Sequence, residues 1–285
     1  MNDTFDFRTL PEAQQLASYG AFFAMANADG VIDGHEVVTI FESLDVSNLS
    51  EEGQETVRSY LMSPPELEPC LVQLSSASDA LRYGVMLRLV EVALADDVVL
   101  PGEERALAAG RSSLGVSMEQ QEAMCGFLEQ VAAVRERGID DHEATDSLKS
   151  GVATLTGMGV PAAAIFFSGG VASLGGAGIP VGLAALGLGF GMVPGLGMAM
   201  LLGATGVMAA HWALGVGRKG AQLRAAEAAR GRRLVSNLEP TISDLAERVR
   251  ALEATGAAAS EVEILRRRLR ALQRLLVQAR GRSAD

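Results

Sequence analysis

Two stretches decide how this chain folds: ANADGVIDGHEVVTIFESLDVS at residues 26–47 and ALADDVVLPGEERALAAGRSSLGVS at residues 93–117. Asp29 aligns with Asp96, Ile32 with Val99 and Glu36 with Glu103, each pair 67 positions apart. The closing DVS and GVS lie 70 apart, so the helix in the second copy should be about one turn longer. Similarity at a fixed period implies duplicated helical units, packed around a pseudo-twofold.

Around this repeat, residues 12–135 carry apolar side chains at three-to-four spacing. Leu16, Tyr19, Phe22 and Phe23 mark one helix face, and Val37, Ile40, Phe41 and Leu44 mark the next. No run alternates with the period of two that a strand requires. Helix starts are expected at Ser50 (SEEGQE), at Asp79 (DALRYG) and at Ser117, where SMEQ puts Gln120 in a capping-box position. The expected class is all-α.

An apolar helix ending in ADG, then an Ile, an acid and a Glu opening the next helix, resembles the TerB tellurite-resistance family. The likeness covers about residues 8–135, and both copies of the motif are present. It implies a compact all-α bundle of the kind also found at the cytoplasmic side of some membrane-bound DnaJ-like co-chaperones. It also implies a link to bacterial resistance to tellurite, other chemical stress and phage. The family's acidic motifs have been proposed to bind divalent metal (Ca, Mg or Zn here). Carried over by position, the ligands would be Asp29, Asp33 and Glu36, with Asp96 and Glu103. The second copy departs at Leu100, where the first has Asp33, and Asp97 replaces Gly30.

Neither loop is an EF-hand. With Gly30 at loop position 6, position 1 falls on Met25, and the second copy puts Leu94 at position 3; a hard cation needs oxygen at both. The bland reading of the same acids is helix capping: Asp29 or Asp33 before the helix and Glu36 in its first turn.

The formal charge of −11 is unevenly spread. Residues 1–150 hold 27 Asp/Glu and 9 Lys/Arg, residues 151–217 hold neither, and residues 218–285 hold 8 Asp/Glu and 15 Lys/Arg. This divides the chain into an acidic helical bundle (1–135), an acidic linker (136–150), an uncharged Gly-rich block (151–217) and a basic tail (218–285). An acidic total argues against general nucleic-acid binding. Two cysteines, Cys70 and Cys125, make no disulfide scaffold and suit a reducing compartment. MNDTFDFRTLPEAQQ lacks the positive and apolar regions of a secretory signal.

The uncharged block has room for two membrane helices of about 20 residues with a turn between them. We expect spans near 159–179 and 192–214, with Pro161, Pro180 and Pro194 as competing break points. Its eighteen glycines would weaken a helix in water but permit close helix packing in lipid. Gly187, Gly191 and Gly195 form a glycine zipper, and Gly178 with Gly182 adds a further GxxxG. Trp212, Arg218, Lys219 and Arg224 would mark the interface, with positive flanks keeping both termini cytoplasmic at a bacterial inner membrane.

No enzyme is expected. HEVV at 35–38 lacks the second His of a zincin, GMGVPA at 157–162 has no preceding strand, and GVGRKG is not a Walker motif. In the tail, Leu238, Ile242, Leu245, Val249 and Leu252, then Val262, Leu265, Leu269, Leu272 and Leu276, run at heptad-like spacing. A helical pair packing on itself, on the bundle or on another copy would result, with RRRLR at 266–270 as a solvated face. The expected partners are a lipid bilayer, further copies of the chain and a protein bound to the TerB-like domain. The expected role is a membrane-tethered scaffold or sensor; the alternatives are a pore-forming effector and a soluble oligomer that buries its Gly-rich helices.

Overall fold

The computed structural model describes residues 7–30, 32, 34–95, 99–137, 142–167, 219–255 and 259–282. All regular structure among them is helical. After a short 3-10 turn come α1 (Glu12–Ala26), α2 (Gly34–Ser43), α3 (Glu51–Tyr60), α4 (Leu67–Leu74), α5 (Asp79–Ala93), α6 (Pro101–Leu114), α7 (Met118–Arg137), α8 (His142–Gly157) and α9 (Ala162–Phe167). The basic tail forms α10 (Lys219–Thr255) and α11 (Ala259–Arg282).

The expected helix starts carry their capping chemistry. Ser50 Oγ accepts from the Gly53 amide at 3.0 Å. Ser117 Oγ accepts from the Gln120 amide at 3.2 Å while Gln120 Oε1 accepts from the Ser117 amide at 2.9 Å, so the capping box is closed both ways. For α5 the capping oxygen belongs to Ser78, one residue earlier than Asp79, at 3.4 Å from the Leu81 amide. Helix α8 ends in a Schellman turn: the Val160 amide reaches Leu155 O at 3.0 Å and Gly159 sits at φ +86°.

The chain divides into two compact units. One comprises residues 77–91 and 114–227 with the first few residues. Within it α7 packs on α8, and α8 on α9, around Phe127, Val131, Val152, Leu155 and Ile165. Helix α8 begins inside the stretch that composition marks as a linker and ends inside the uncharged block. Ala164 and Ile165 of α9 are buried as well. No helix among the described residues is long and apolar enough to cross a membrane. Most of both expected spans lies outside the described residues, including Gly178, Gly182, Gly187, Gly191, Gly195, Trp212 and Arg218.

The other unit gathers residues 6–76, 92–113 and 228–285. Helix α1 contacts α2, α3 and α4 and is buried nearly all round, because its second face is made of Ala17, Gly20, Ala21 and Ala24. A Cβ on Gly20 would stand 2.9 Å from Cys70 Sγ, so glycine is what lets α4 approach. Phe23 meets Phe41 edge-on at 5.8 Å between ring centres.

The tail from residue 228 onward belongs to this unit. Asn237 Nδ2 donates to Phe41 O at 2.9 Å and to Leu44 O at 3.1 Å, satisfying carbonyls at the carboxyl end of α2. Arg268 Nη1 does the same for Leu61 O and Met62 O, just past α3, at 3.2 and 3.3 Å. Arg58 pairs with Asp244 at 3.0 Å. Leu238, Leu245 and Val249 of the heptad-like row are buried, as are Val262, Leu265 and Leu272. Glu253 pairs with Arg266 and Glu239 with Arg280, so α10 and α11 run antiparallel. In the RRRLR run, Arg266, Arg267 and Arg270 are exposed while Arg268 is turned onto the bundle.

Candidate functional site

The sequence repeat is a repeat of structure. Helices α1 and α5 have 15 residues each and both begin and end 67 positions apart. Helices α2 and α6 begin 67 positions apart, and α6 has 14 residues against 10, the extra turn that the shifted DVS and GVS imply. The offset of 67 returns at the capping serines, Ser50 and Ser117. Each copy is therefore a helix, a loop that carries the acidic motif, a second helix and a serine-capped third.

Within each motif the glutamate is the third residue of its helix. Glu36 and Glu103 are buried there, at 5% and 6% exposure, so their carboxyl groups are not the solvated surface acids that their neighbours suggest. Glu103 Oε2 accepts from the Leu100 amide at 2.7 Å, closing the open end of α6 from inside. A carboxylate in a helix's first turn also meets the favourable end of the macrodipole. Pro101 at the first helical position has no amide to leave unsatisfied, which makes Leu100 a workable cap residue.

The first loop turns at Gly30, whose φ of +89° favours glycine, with its amide bonded to Asn27 O at 2.9 Å. Asp29, one residue earlier, is exposed. The two motifs meet through Gly102: a Cβ there would stand 2.9 Å from the carbonyl carbon of Ala28 and 3.2 Å from Asp29 Cα, with Ala28 O nearer still. The first turn of α6 thus lies directly on the backbone of the first loop. Of the five candidate metal ligands, the structure places Asp29, Glu36 and Glu103; Asp33 and Asp96 fall outside the described residues. Among the described residues no group of three or more His, Cys, Asp or Glu side chains is arranged to hold a metal ion. Lys219 and Arg224 fall within α10, but their side chains are outside the described set.

Some charged groups are placed in ways that spacing does not reveal. Arg88 and Glu91 form a buried ion pair on α5, 2.6 Å apart with 3% and 11% of their side chains exposed. The signal in sequence is an Arg and a Glu three apart inside the otherwise apolar run 85–93. Asp45 follows α2. Burial works against its ionisation, yet the Ser47 hydroxyl at 2.6 Å and amide at 3.2 Å, with Arg233 and Arg8 nearby, hold its carboxyl below the ordinary value. Both thiols are pushed up by burial, and Glu129 and Glu122 add to this at Cys125. Neither environment activates a nucleophile.

The chain matches no family model, no curated protein and no solved structure.

Proposed function

We propose that this chain is a non-enzymatic, membrane-tethered TerB-like scaffold or sensor, tied to bacterial stress or defence and responsive to a divalent metal. The observation that carries the reading is the 67-residue recurrence of helix boundaries, with Gly102 seating the second motif on the first. Metal would be taken by Asp29, Asp33 and Glu36, with Asp96 and Glu103 from the second copy. Glu103 already serves the Leu100 amide, so an ion there competes with a helix cap. Binding would then loosen or re-form the start of α6 as its readout. The uncharged block 151–217 supplies the tether, with the acidic and basic ends on the cytoplasmic side of an inner membrane.

Calorimetric titration of the full chain with Ca²⁺, Mg²⁺ and Zn²⁺ tests the metal. Saturable heat that D29A/E36A abolishes is expected; equal heat from that variant discards the site. Carbonate extraction of membranes tests the tether, which recovery in the soluble fraction would overturn. Dye released from liposomes by the extracted protein would replace the scaffold with a pore-forming effector.

A further inference from the structure

Helix α11 has two unlike sides. Val262, Leu265, Leu272 and Ala279 are buried along one of them. At 3.6 residues per turn, Arg267, Arg270, Arg274 and Val277 fall on the opposite side, three or four positions apart. Arg267 and Arg270 keep 75% and 59% of their side chains exposed, and Arg274 is exposed as well. Val277, at 71%, is the most exposed large apolar residue among those described. The positive charge of this side is only partly met from within the chain. Residues 264–280 hold six Arg and no Asp or Glu. Glu263, before them, is shared between Arg267 and Arg270 at 3.3 and 3.0 Å. Glu253 takes Arg266 and Glu239 takes Arg280, while among the described residues Arg274 has no acidic partner.

We propose that the outer side of α11 docks on an anionic lipid bilayer, with Arg267, Arg270 and Arg274 on headgroup phosphates and Val277 at the boundary with the acyl chains. Ten residues separate Arg267 from Val277, about 15 Å of helix, so all four side chains meet one flat surface together. A guanidinium matches a phosphate with two parallel hydrogen bonds, and its aliphatic stem lies along apolar material while its head stays among the headgroups. Each arginine brought to an anionic surface favours the bound state on the order of fivefold. Val277 separates a bilayer from other polyanions. It gains by leaving water at the lipid boundary but gains nothing on a phosphate backbone, and residues 264–280 include no aromatic ring on which a base could stack. A bilayer is also the anionic surface that residues 151–217 would bring to the chain, and to that extent the inference rests on the tether proposed above. Docking leaves the tail's own contacts in place. Arg268, which serves Leu61 O and Met62 O, lies off this side of the helix.

The test must read this side of α11 itself, because the uncharged block could hold the whole chain on a vesicle whatever α11 does. Full-length V277C/C125S takes a bimane label at position 277, Cys70 being buried, and full-length C125S treated alike gives the background. Vesicles of phosphatidylcholine, alone or mixed with phosphatidylglycerol, carry a lipid spin-labelled at its headgroup as quencher. The label should be quenched on the mixed vesicles and not on phosphatidylcholine alone. R267Q/R270Q/R274Q in the same background should lower the ratio of docked to undocked helix on the order of a hundredfold, which removes the quenching. Salt at about 0.5 M should release the label with no change of sequence, so the result does not hang on the folding of the variant. No quenching on the mixed vesicles, equal quenching on both kinds, or quenching that survives salt or the triple variant overturns the proposal. So does a label change that needs no lipid and rises with protein concentration, which would assign the face to a second copy. A change produced by a single-stranded oligonucleotide but not by vesicles overturns it likewise. Flotation of the unlabelled chain with phosphatidylcholine vesicles reads the tether separately. A chain that fails to float there yet shows the arginine-dependent quenching loses the tether and keeps the docking face; one that floats without that quenching does the reverse.

Discussion

Gly102→Ala probes the junction of the two motifs, because the structure fixes the sign of its effect against the usual trend. On helix propensity alone the change should help by up to about 1 kcal/mol, and less in a first turn. At Gly102, however, the new methyl would meet Ala28 O, the Ala28 carbonyl carbon at 2.9 Å and Asp29 Cα at 3.2 Å. All three are backbone atoms, so no side chain can swing aside; either the first loop or α6 must move. Forcing an extra methyl into packed structure typically costs about 1–3 kcal/mol, which leaves a net loss of about 1–2 kcal/mol. Gly126→Ala, inside α7, is the matched control, since nothing lies within 4 Å of its would-be Cβ. There the same substitution should stabilise by about 0.5–1 kcal/mol. Urea unfolding of the full chain followed by far-UV circular dichroism measures both. At a slope of about 2 kcal/mol/M, Gly102→Ala should lower the midpoint by about 0.5–1 M, with the control moving the other way. If Gly102→Ala is as stable as the parent, the two motifs do not touch as described and the reasoning about the paired loops fails.

Arg88→Ala should cost about 3–5 kcal/mol in the same assay, since it removes one partner of a buried ion pair; a loss under 1 kcal/mol would show that the pair contributes little to the fold. Ser50→Ala and Ser117→Ala should each lose about 1 kcal/mol, and similar losses at the two sites would show that the equivalent caps bear equivalent weight. Asp45 gives a pH dependence. Its folded pKa is depressed, so its contribution is fully present above the unfolded carboxylate value and is lost as pH falls through the folded value. Asp45→Asn should therefore flatten part of the stability decline measured between about pH 5 and pH 2. An unchanged acid limb would show that Ser47, Arg233 and Arg8 do not favour the ionised form.

What could be read from sequence was whatever depends on neighbours a few residues away. The 67-residue period, the longer second helix and the caps at Ser50 and Ser117 all express local backbone requirements, so identity and spacing were enough. Helix α1 was legible only in half: Leu16, Tyr19, Phe22 and Phe23 announce one buried face. The face built from Ala17, Gly20, Ala21 and Ala24 carries no hydrophobic signal although it is equally buried. Glu36 and Glu103 could be recognised as a pair, but acids in a loop motif look alike whether they point to solvent or close a helix end. The destination of the tail was not legible, because its main acceptors are backbone carbonyls at helix ends, and any residue type presents a carbonyl.

Charge shows most clearly why block averages mislead. An acidic first block and a basic tail invite a picture of general attraction, but attraction between majority charges is the same in every register and so selects none. The contact that is seen pairs minority charges as well: Arg58, a base within the acidic block, meets Asp244, an acid within the basic tail. A shift of one helical turn along α10 would replace Asp244 by Pro240 or Arg248, leaving Arg58 without a partner or facing a like charge. Asn237 acts in the same sense, since only one register puts its amide against the end of α2. Salt should accordingly weaken the overall pull of the tail, which is long-range and screened, while leaving the docked register where the hydrogen bonds and the Arg58–Asp244 pair put it.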